Sequence, residues 1–431
     1  MTKKAALTFI AAALLLASCR GPESDPSDKA AATVPTTAPG GRWLGGDADR
    51  NWDEARSDRS GTESAALSAG GASAAKPAAA PVPGEPYGDD VAVGPPERQG
   101  PGLRAGSTDD NAAFADYLKY RDDFKRLGIT VADFDVSVRH VVTVVDENGK
   151  PLLGAAVRAG DQEVRTAADG RALLFGDVAS ATVHYGDRTA TADFSPDTRE
   201  HRVTFPITRA EGRTKLDVLF LIDTTGSMDD EIDRLKESVR SVAGRISELS
   251  ADSDLRLAMT VYRDRGDLFV TRTFDFTPDV AVFQTALAAV QAGGGGDTPE
   301  DLNAGLHEAV TAPAWRGDDT VKLIFLIADA PPHLDYQDGP DYAADVRTAA
   351  RKGIKIMPIA SSGLDDQGEY VFRQMAQATM GRFTFLTYGA DGVSPGDLTD
   401  HHVSDYAVLA LDDLVVRLVA DELKPLSAGG Q

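Results

Sequence analysis

Cysteine is almost missing from this chain, since Cys19 is the single one among 431 residues. No disulfide can form within the chain, so its folded parts must be stabilised by buried apolar side chains alone. Long apolar runs are also missing, because no run after residue 19 is long and charge-free enough to span a bilayer. The sequence therefore predicts folded domains that lie outside the bilayer and carry no covalent cross-links.

Positive charge is scarce as well. Lys and Arg number 44 against 67 Asp and Glu, which gives a net charge of −23. Residues 1–108 carry −2 of this charge and residues 109–431 carry −21. Such an acidic body repels nucleic acid and anionic lipid headgroups but tolerates divalent cations and basic partners. Nucleic acid is therefore excluded as a partner, although an equally good interpretation is that the charge only keeps the protein soluble.

The first nineteen residues have the pattern of a bacterial export signal. Lys3 and Lys4 precede an apolar stretch, residues 5–17, that is too short to span a bilayer as a mature helix. Residues 16–19, Leu-Ala-Ser-Cys, resemble a lipobox. The resemblance implies a mature chain that begins at a lipidated Cys19 and is anchored to a membrane of the cell envelope. Arg20 stands where an inner-membrane retention Asp often stands, which favours the outer membrane; the alternative is a plain signal peptide.

Two segments connect this signal to the first domain. Residues 20–108 are rich in Ala, Pro, Gly and Ser without periodicity, so they predict a disordered tether, in which Trp43 and Trp52 are the candidates for a short binding motif. In residues 109–133, apolar side chains recur at helical spacing from Phe114 to Leu127. This spacing predicts a short amphipathic helix that packs on the next domain, the alternative being a helix that binds a partner.

Residues 134–212 predict a small all-β sandwich. Short alternating runs are separated by turn residues, as in Asp146-Glu147-Asn148-Gly149. Residues 144–157 and 166–172 resemble the carboxypeptidase-regulatory-like family of transthyretin-like sandwiches. The resemblance implies an accessory or spacer module without catalytic residues. His140 and His184 are then ordinary strand residues.

Residues 213–426 predict an α/β fold with a doubly wound, mostly parallel sheet, because strand and helix patterns alternate. Two continuous apolar runs, typical of strands buried on both faces, end at Asp223 and Asp329. Ligands of such folds bind at the carboxyl ends of the strands. Thr225 and Ser227 follow Asp223, and Thr298 follows a four-glycine run. These oxygen donors suit a hard divalent cation, which would keep enough charge to bind an acidic group of a partner.

The loop Asp223-Thr224-Thr225-Gly226-Ser227 resembles the DxSxS motif of von Willebrand factor A domains. The resemblance implies a metal-ion-dependent adhesion site that holds one ion, Mg²⁺ or alternatively Mn²⁺ or Ca²⁺, and that captures a protein partner through a carboxylate. The alternative for Asp223, Ser227 and Thr298 is a helix cap. The implied metal ligands are Asp223, Thr225, Ser227, Thr298 and Asp329. The candidates for residues that contact these ligands without touching the ion are Asp297, Asp264 and His333.

Enzymatic motifs are incomplete. No Gly-Lys-Ser/Thr follows the four glycines, and Ser227 lacks the second glycine of a nucleophile elbow. His307-Glu308 begins like a zincin helix, but Thr311 occupies the place of the second His. The sequence thus favours an envelope protein that binds a partner through metal, and not an enzyme. The rivals are an envelope assembly factor with a stabilising metal and a metal-dependent hydrolase with His333 or Asp297 as base.

Overall fold

The structure is a computed structural model that describes residues 43–44, 102–195, 198–249, 253–389 and 396–427. The export signal with Cys19 and most of the predicted tether, including Trp52, lie outside the described residues. Among the helices that are described, none has the length and apolar character needed to cross a membrane.

Sixteen strands and seven α-helices make up the described part of the chain. The strands are β1 Trp43–Leu44, β2 Arg104–Thr108, β3 Arg139–Val145, β4 Ala156–Ala159, β5 Gln162–Arg165, β6 Arg171–Phe175, β7 Ser180–Tyr185, β8 Arg188–Asp193, β9 Glu200–Thr204, β10 Thr214–Asp223, β11 Ser253–Tyr262, β12 Thr271–Thr277, β13 Thr320–Ala328, β14 Ile354–Ala360, β15 Phe383–Thr387 and β16 Leu409–Ala410. The helices are α1 Phe114–Lys125, α2 Asp229–Leu249, α3 Val280–Ala288, α4 Leu302–Thr311, α5 Tyr342–Lys352, α6 Asp366–Thr379 and α7 Leu411–Leu423.

A nine-stranded sheet forms the centre of the larger domain, in the order β1-β12-β11-β10-β13-β14-β15-β2-β16. Strands β11, β10, β13, β14 and β15 run parallel, and the flanking strands are antiparallel to their neighbours. Every residue of β13 is buried, because helices cover both faces of the sheet. Alternate residues of β10 enter two separate cores, one lined by α2, α3 and α7 and the other by α4, α5 and α6. The predicted doubly wound α/β fold is confirmed.

A smaller β domain follows α1. Its seven strands form one sheet of three strands, β6-β3-β9, and one of four, β5-β4-β7-β8. Both sheets contribute to one apolar core, which includes Val142, Leu174 and Val183. The domain lies at the amino ends of the parallel strands, where Gly154 approaches the backbone of Asp318 just before β13. It is therefore at the end of the large sheet opposite to Asp223 and Asp329.

The tether prediction is wrong at two places. Residues 104–108 form β2, which pairs along its whole length with β15, and Trp43–Leu44 pair with β12. Leu103 and Ala105 are buried. These segments carry no pattern of their own, and they gain their hydrogen bonds from sheet edges that the rest of the chain supplies. Strand β12 starts at Thr271 and has β1 outside it.

Helix α1 is shorter than predicted and makes its main contact elsewhere. Its buried residues are Tyr117, Arg121 and Phe124, one helical face. Phe124 stacks on Tyr370 of α6 with the ring centroids 4.0 Å apart. The helix therefore packs mainly on the α/β domain and only in part, as predicted, on the β domain: the Arg139 guanidinium of β3 lies 3.7 Å from the ring centroid of Phe114.

Candidate metal centre

The loop after β10 brings three of the predicted ligands together. Asp223 is fully buried, and its Oδ1 accepts hydrogen bonds from the backbone N–H of Thr225 at 2.9 Å and from the Thr225 hydroxyl at 2.7 Å. The Thr225 and Ser227 hydroxyl oxygens are 3.2 Å apart. The other carboxylate oxygen of Asp223, Oδ2, is buried without a hydrogen-bond partner of good geometry among the described residues, although the buried Tyr262 hydroxyl lies close enough to lower the pKa of Asp223. One loop thus presents two hydroxyls beside an unsatisfied carboxylate oxygen.

Asp329 joins this group from the neighbouring strand. Strand β13 pairs in parallel with β10, and Asp329 directly follows it. The Ser227 side chain lies close enough to Asp329 to lower the pKa of its carboxyl, while Asp329 Oδ1 is buried without a hydrogen-bond partner among the described residues. Four of the five predicted ligands, Asp223, Thr225, Ser227 and Asp329, are therefore in one contact network at the carboxyl end of the sheet.

The electrostatics of the two aspartates are unfavourable in the absence of a cation. Burial, followed by the charge of Asp329, raises the pKa of Asp223 to about 7. Burial also raises the pKa of Asp329. A buried carboxylate oxygen without a partner costs free energy that a bound cation would offset. Within the described residues, no three His, Cys, Asp or Glu side chains could by themselves hold a metal ion, so hydroxyl donors are needed.

The glycine run lies against the Asp223 loop. The N–H of Gly226 donates to the carbonyl of Gly294 at 2.9 Å, and the N–H of Gly293 donates to Thr224 at 3.0 Å. Gly295 has a φ of 61°, and a Cβ at this position would be 3.1 Å from Thr225 Cβ. Side chains larger than hydrogen would therefore push the two loops apart.

Thr298 and Asp297 lie on the far part of this run. Both side chains are exposed, and no contact of the described residues joins either one to Asp223 or Asp329. The alternative interpretation of Thr298 as a helix cap is wrong, because α4 begins at Leu302 and Asp301 caps it by accepting from Ala304 N–H. The structure thus leaves Thr298 beside the centre and outside its hydrogen-bond network.

A family comparison covers the part of the chain that holds these loops. Residues 217–387 match the family model of the von Willebrand factor A domain. This part of the chain is a von Willebrand factor A (VWA) domain. The solved VWA domain of SpRpn10 is 14% identical in sequence, with a TM-score of 0.30; the match covers 48% of this chain and 95% of that one.

Two curated proteins match about a third of this chain. The alpha-protein kinase vwkA of Dictyostelium discoideum is 32% identical over 136 residues, which are 31% of this chain and 21% of the kinase. A putative ariadne-like RING finger protein, R811, of Acanthamoeba polyphaga mimivirus is 25% identical over 141 residues, 32% of this chain and 13% of that protein. The chain thus spans about a fifth or less of the length of these relatives.

Glu300 lies at the candidate metal centre of the VWA domain, although the sequence did not identify it as a site residue. It is 2% exposed, and its Oε2 is buried without a partner. Burial raises its pKa to about 8, with further contributions from the charges of Asp223, Asp264 and Asp329. Its backbone pairs with the loop after β13, through its N–H to Pro331 and its carbonyl to the N–H of His333. The only signal in the sequence was its position two residues after Thr298.

Glu231, the second glutamate missed, lies on the other side of Asp329. It stands on α2, one helical turn after Ser227, and its charge contributes to the raised pKa of Asp329. Glu231 Oε1 accepts from Ser362 at 2.6 Å and from Tyr388 at 3.3 Å, while its Oε2 is buried without a partner. Helical spacing from Ser227 is the signal that could have found it.

Asp264 and His333 contact each other at the rim of the VWA centre. His333 Nε2 is 3.5 Å from Asp264 Oδ1, and its Nδ1 is 2.7 Å from Asp335. The His333 ring stacks on Tyr336 at 4.0 Å, and the Tyr336 hydroxyl donates to Asp264 at 2.9 Å. The two predicted accessory residues are therefore brought together, near Glu300.

Proposed function

We propose that the VWA domain binds one divalent cation and, once loaded, captures a protein partner through a carboxylate of that partner. The cation is Mg²⁺, with Mn²⁺ and Ca²⁺ as alternatives. The residues that would hold it are Asp223, Thr225, Ser227 and Asp329, and Thr298 is a fifth candidate on the adjoining exposed loop.

One observation carries this proposal: Asp223 and Asp329 each place a buried, partnerless carboxylate oxygen beside two hydroxyls. Oxygen donors of this kind are what hard divalent cations take, and the cation would supply the positive charge that the two carboxylates lack. With Thr225 and Ser227 contacting the ion through neutral hydroxyls, and Asp223 and Asp329 acting largely through water, the ion would keep enough positive charge to attract a further acidic group. VWA membership supports a protein as the partner.

The proposal includes a membrane anchor at Cys19, in the bacterial envelope and at the outer membrane in preference to the inner one. Its support is the lipobox-like sequence at residues 16–19. The β domain at the opposite end of the sheet would then serve as a spacer, which agrees with the role of the family that it resembles.

A calorimetric titration of Mg²⁺ and Mn²⁺ into the full chain tests the cation site. We expect one ion per chain for the wild type and for Asp338→Asn, a control that removes an exposed carboxylate at the same end of the sheet. We expect no binding for Asp223→Ala. A wild type that binds neither ion would overturn the proposal.

Capture of a partner is tested separately, by cross-linking in envelope extracts with and without EDTA. Loss of the same cross-linked species on EDTA treatment and in Asp223→Ala supports metal-dependent capture. A melting temperature that falls with EDTA while the cross-linked species persists favours the assembly factor with a stabilising metal. For a hydrolase, His333 would have to act as base while it faces Asp264 and Asp335; we propose binding, not catalysis.

A further inference from the structure

Glu300 is a charged side chain whose burial no contact among the described residues explains. Its Oε2 is buried and accepts no hydrogen bond from them, although Asp223, Asp264 and Asp329 add negative charge around it. Removing one carboxylate from water without a partner is unfavourable, and placing it among others is more so. Glu300 therefore needs a donor or a positive charge that the described part of the chain does not supply.

The Glu300 carboxylate lies next to the predicted ligands. A Cβ at Gly295 would be 2.8 Å from Glu300 Oε1 and 3.1 Å from Thr225 Cβ, so the two side chains face the same small gap. The backbone of Glu300 hydrogen-bonds to Pro331 and His333, which lie in the loop after Asp329. Its position is thus fixed by two of the loops that form the centre.

Direct ligation by Glu300 does not fit this arrangement. Together with Asp223 and Asp329 it would make a group of three acidic ligands, and no such group exists among the described residues. A carboxylate close to a cation but outside its direct reach can accept hydrogen bonds from the water molecules that the cation retains.

We propose that Glu300 is a positioning residue of the metal centre that accepts a hydrogen bond from a water molecule on the bound cation. This inference rests on the proposed cation site. It also determines which ion the site prefers. Mg²⁺ gives up its water reluctantly and is held well by groups that bind its water, whereas Ca²⁺ takes six to eight oxygens directly and gains less from such a group.

Calorimetric titration of MgCl₂ and CaCl₂ into the full chain compares wild type, Glu300→Gln and the control Asp338→Asn. We expect Glu300→Gln to weaken Mg²⁺ binding by roughly 10- to 100-fold, as for other partners behind metal ligands. Ca²⁺ binding should change by less than about threefold because it depends on direct ligands. In Mn²⁺-loaded protein, ¹⁷O-water exchange on the ion should be faster in Glu300→Gln than in wild type.

Each other outcome has a definite meaning. If Glu300→Gln weakens Mg²⁺ and Ca²⁺ binding equally, Glu300 acts only through its charge. If Mg²⁺ binding is unchanged, Glu300 does not contribute to the metal centre. Both results overturn this inference but leave the proposed cation site intact. A wild type that binds no cation overturns the proposed function itself.

Two further measurements distinguish the proposed role of Glu300 from a purely structural one. Without cations Glu300→Gln should melt no lower than wild type, because it removes a partnerless buried carboxylate; a lower melting temperature contradicts the inference. Glu300→Asp, which keeps the charge but shortens the side chain, should show the same selective loss of Mg²⁺ binding, and an unchanged preference for Mg²⁺ would contradict it.

Discussion

At the scale of single residues, the metal centre consists of groups that destabilise the folded chain until something positive binds. The raised pKa values of Asp223 and Glu300 express this, since each carboxyl prefers its protonated form in the fold. Between about pH 4 and about pH 8 these two groups therefore bind more protons in the folded protein without cations than in the unfolded chain, and their contribution to stability falls as pH rises through this range.

We expect the stabilisation by saturating Mg²⁺ to grow from about pH 5 to about pH 8, because at higher pH the cation no longer competes with protons and the penalty that it offsets is larger. Melting temperatures with EDTA and with Mg²⁺ at both pH values measure this. Asp223→Asn, which cannot ionise, should show little stabilisation at either pH. An equal Mg²⁺ effect at both pH values in wild type would contradict the electrostatic account.

The hydroxyl of Thr225 contacts both Asp223 and Ser227 and is therefore central to the proposed ligand set. Thr225→Val keeps the shape and removes the oxygen, so we expect Mg²⁺ affinity to fall by roughly 10- to 100-fold. Thr225→Ser retains the oxygen and should bind within about threefold of wild type. Calorimetry on both variants decides the matter, and a Thr225→Val protein that binds normally would remove Thr225 from the ligand set.

At the scale of elements, the sheet acquires strands that sequence patterns do not reveal. Strand β2 pairs with both β15 and β16, and Gly106 at its centre lies under the rings of Phe385 and Tyr406. A side chain there would clash, since a Cβ would be 2.7 Å from the Phe385 ring. Glycine is therefore required at a position that the sequence assigned to a tether.

We expect Gly106→Val to lower the free energy of unfolding by roughly 1–3 kcal/mol through overpacking. Gly102→Val is the matched control, because a Cβ at Gly102 would meet nothing within 4 Å. Urea denaturation of both variants gives the comparison. Equal and negligible effects would indicate that residues 102–108 do not belong to the sheet in solution.

The success of sequence reasoning followed the length and regularity of each element. Helix α2 and strand β14 belong to the predicted alternation of strands and helices, which periodic or continuous apolar runs define. Asp223 and Asp329 were predictable because parallel strands bring their carboxyl ends to one edge. Strands β1 and β2 were missed because their pairing depends on edges formed elsewhere in the chain. Glu300 was missed because its burial comes from contacts with the loop after β13, which no local pattern encodes.

At the scale of the whole molecule, the β domain and the VWA domain meet closely. Gly154 has a φ of 80°, and a Cβ there would be 2.0 Å from the carbonyl oxygen of Asp318. Arg209 adds hydrogen bonds from its guanidinium to the carbonyls of Pro425 and Leu426, beyond α7. These contacts fix the β domain at the end of the sheet that is remote from the metal centre.

We expect Gly154→Ala to separate the domains partly and to cost roughly 1–3 kcal/mol more than Gly160→Ala. Both glycines have positive φ, so backbone strain is similar, but a Cβ at Gly160 would meet nothing within 4 Å. Denaturation and limited proteolysis between the domains measure the difference. Mg²⁺ affinity should be unchanged, and a parallel loss of Mg²⁺ binding would show that the two ends of the sheet are coupled.

The pairing of β1 and β2 with opposite sides of the large sheet has a mechanical consequence. Seven strand spacings separate them, roughly 30–35 Å. In a chain held at its N-terminus and pulled by a partner at the metal centre, tension reaches the sheet first at the two residues of β1. Among the described residues, strand β1 pairs with β12 through Trp43 and Leu44 alone, so we expect this pairing to open first. The strands that carry Asp223 and Asp329 pair with each other along most of their length, so we expect them to keep their register under load.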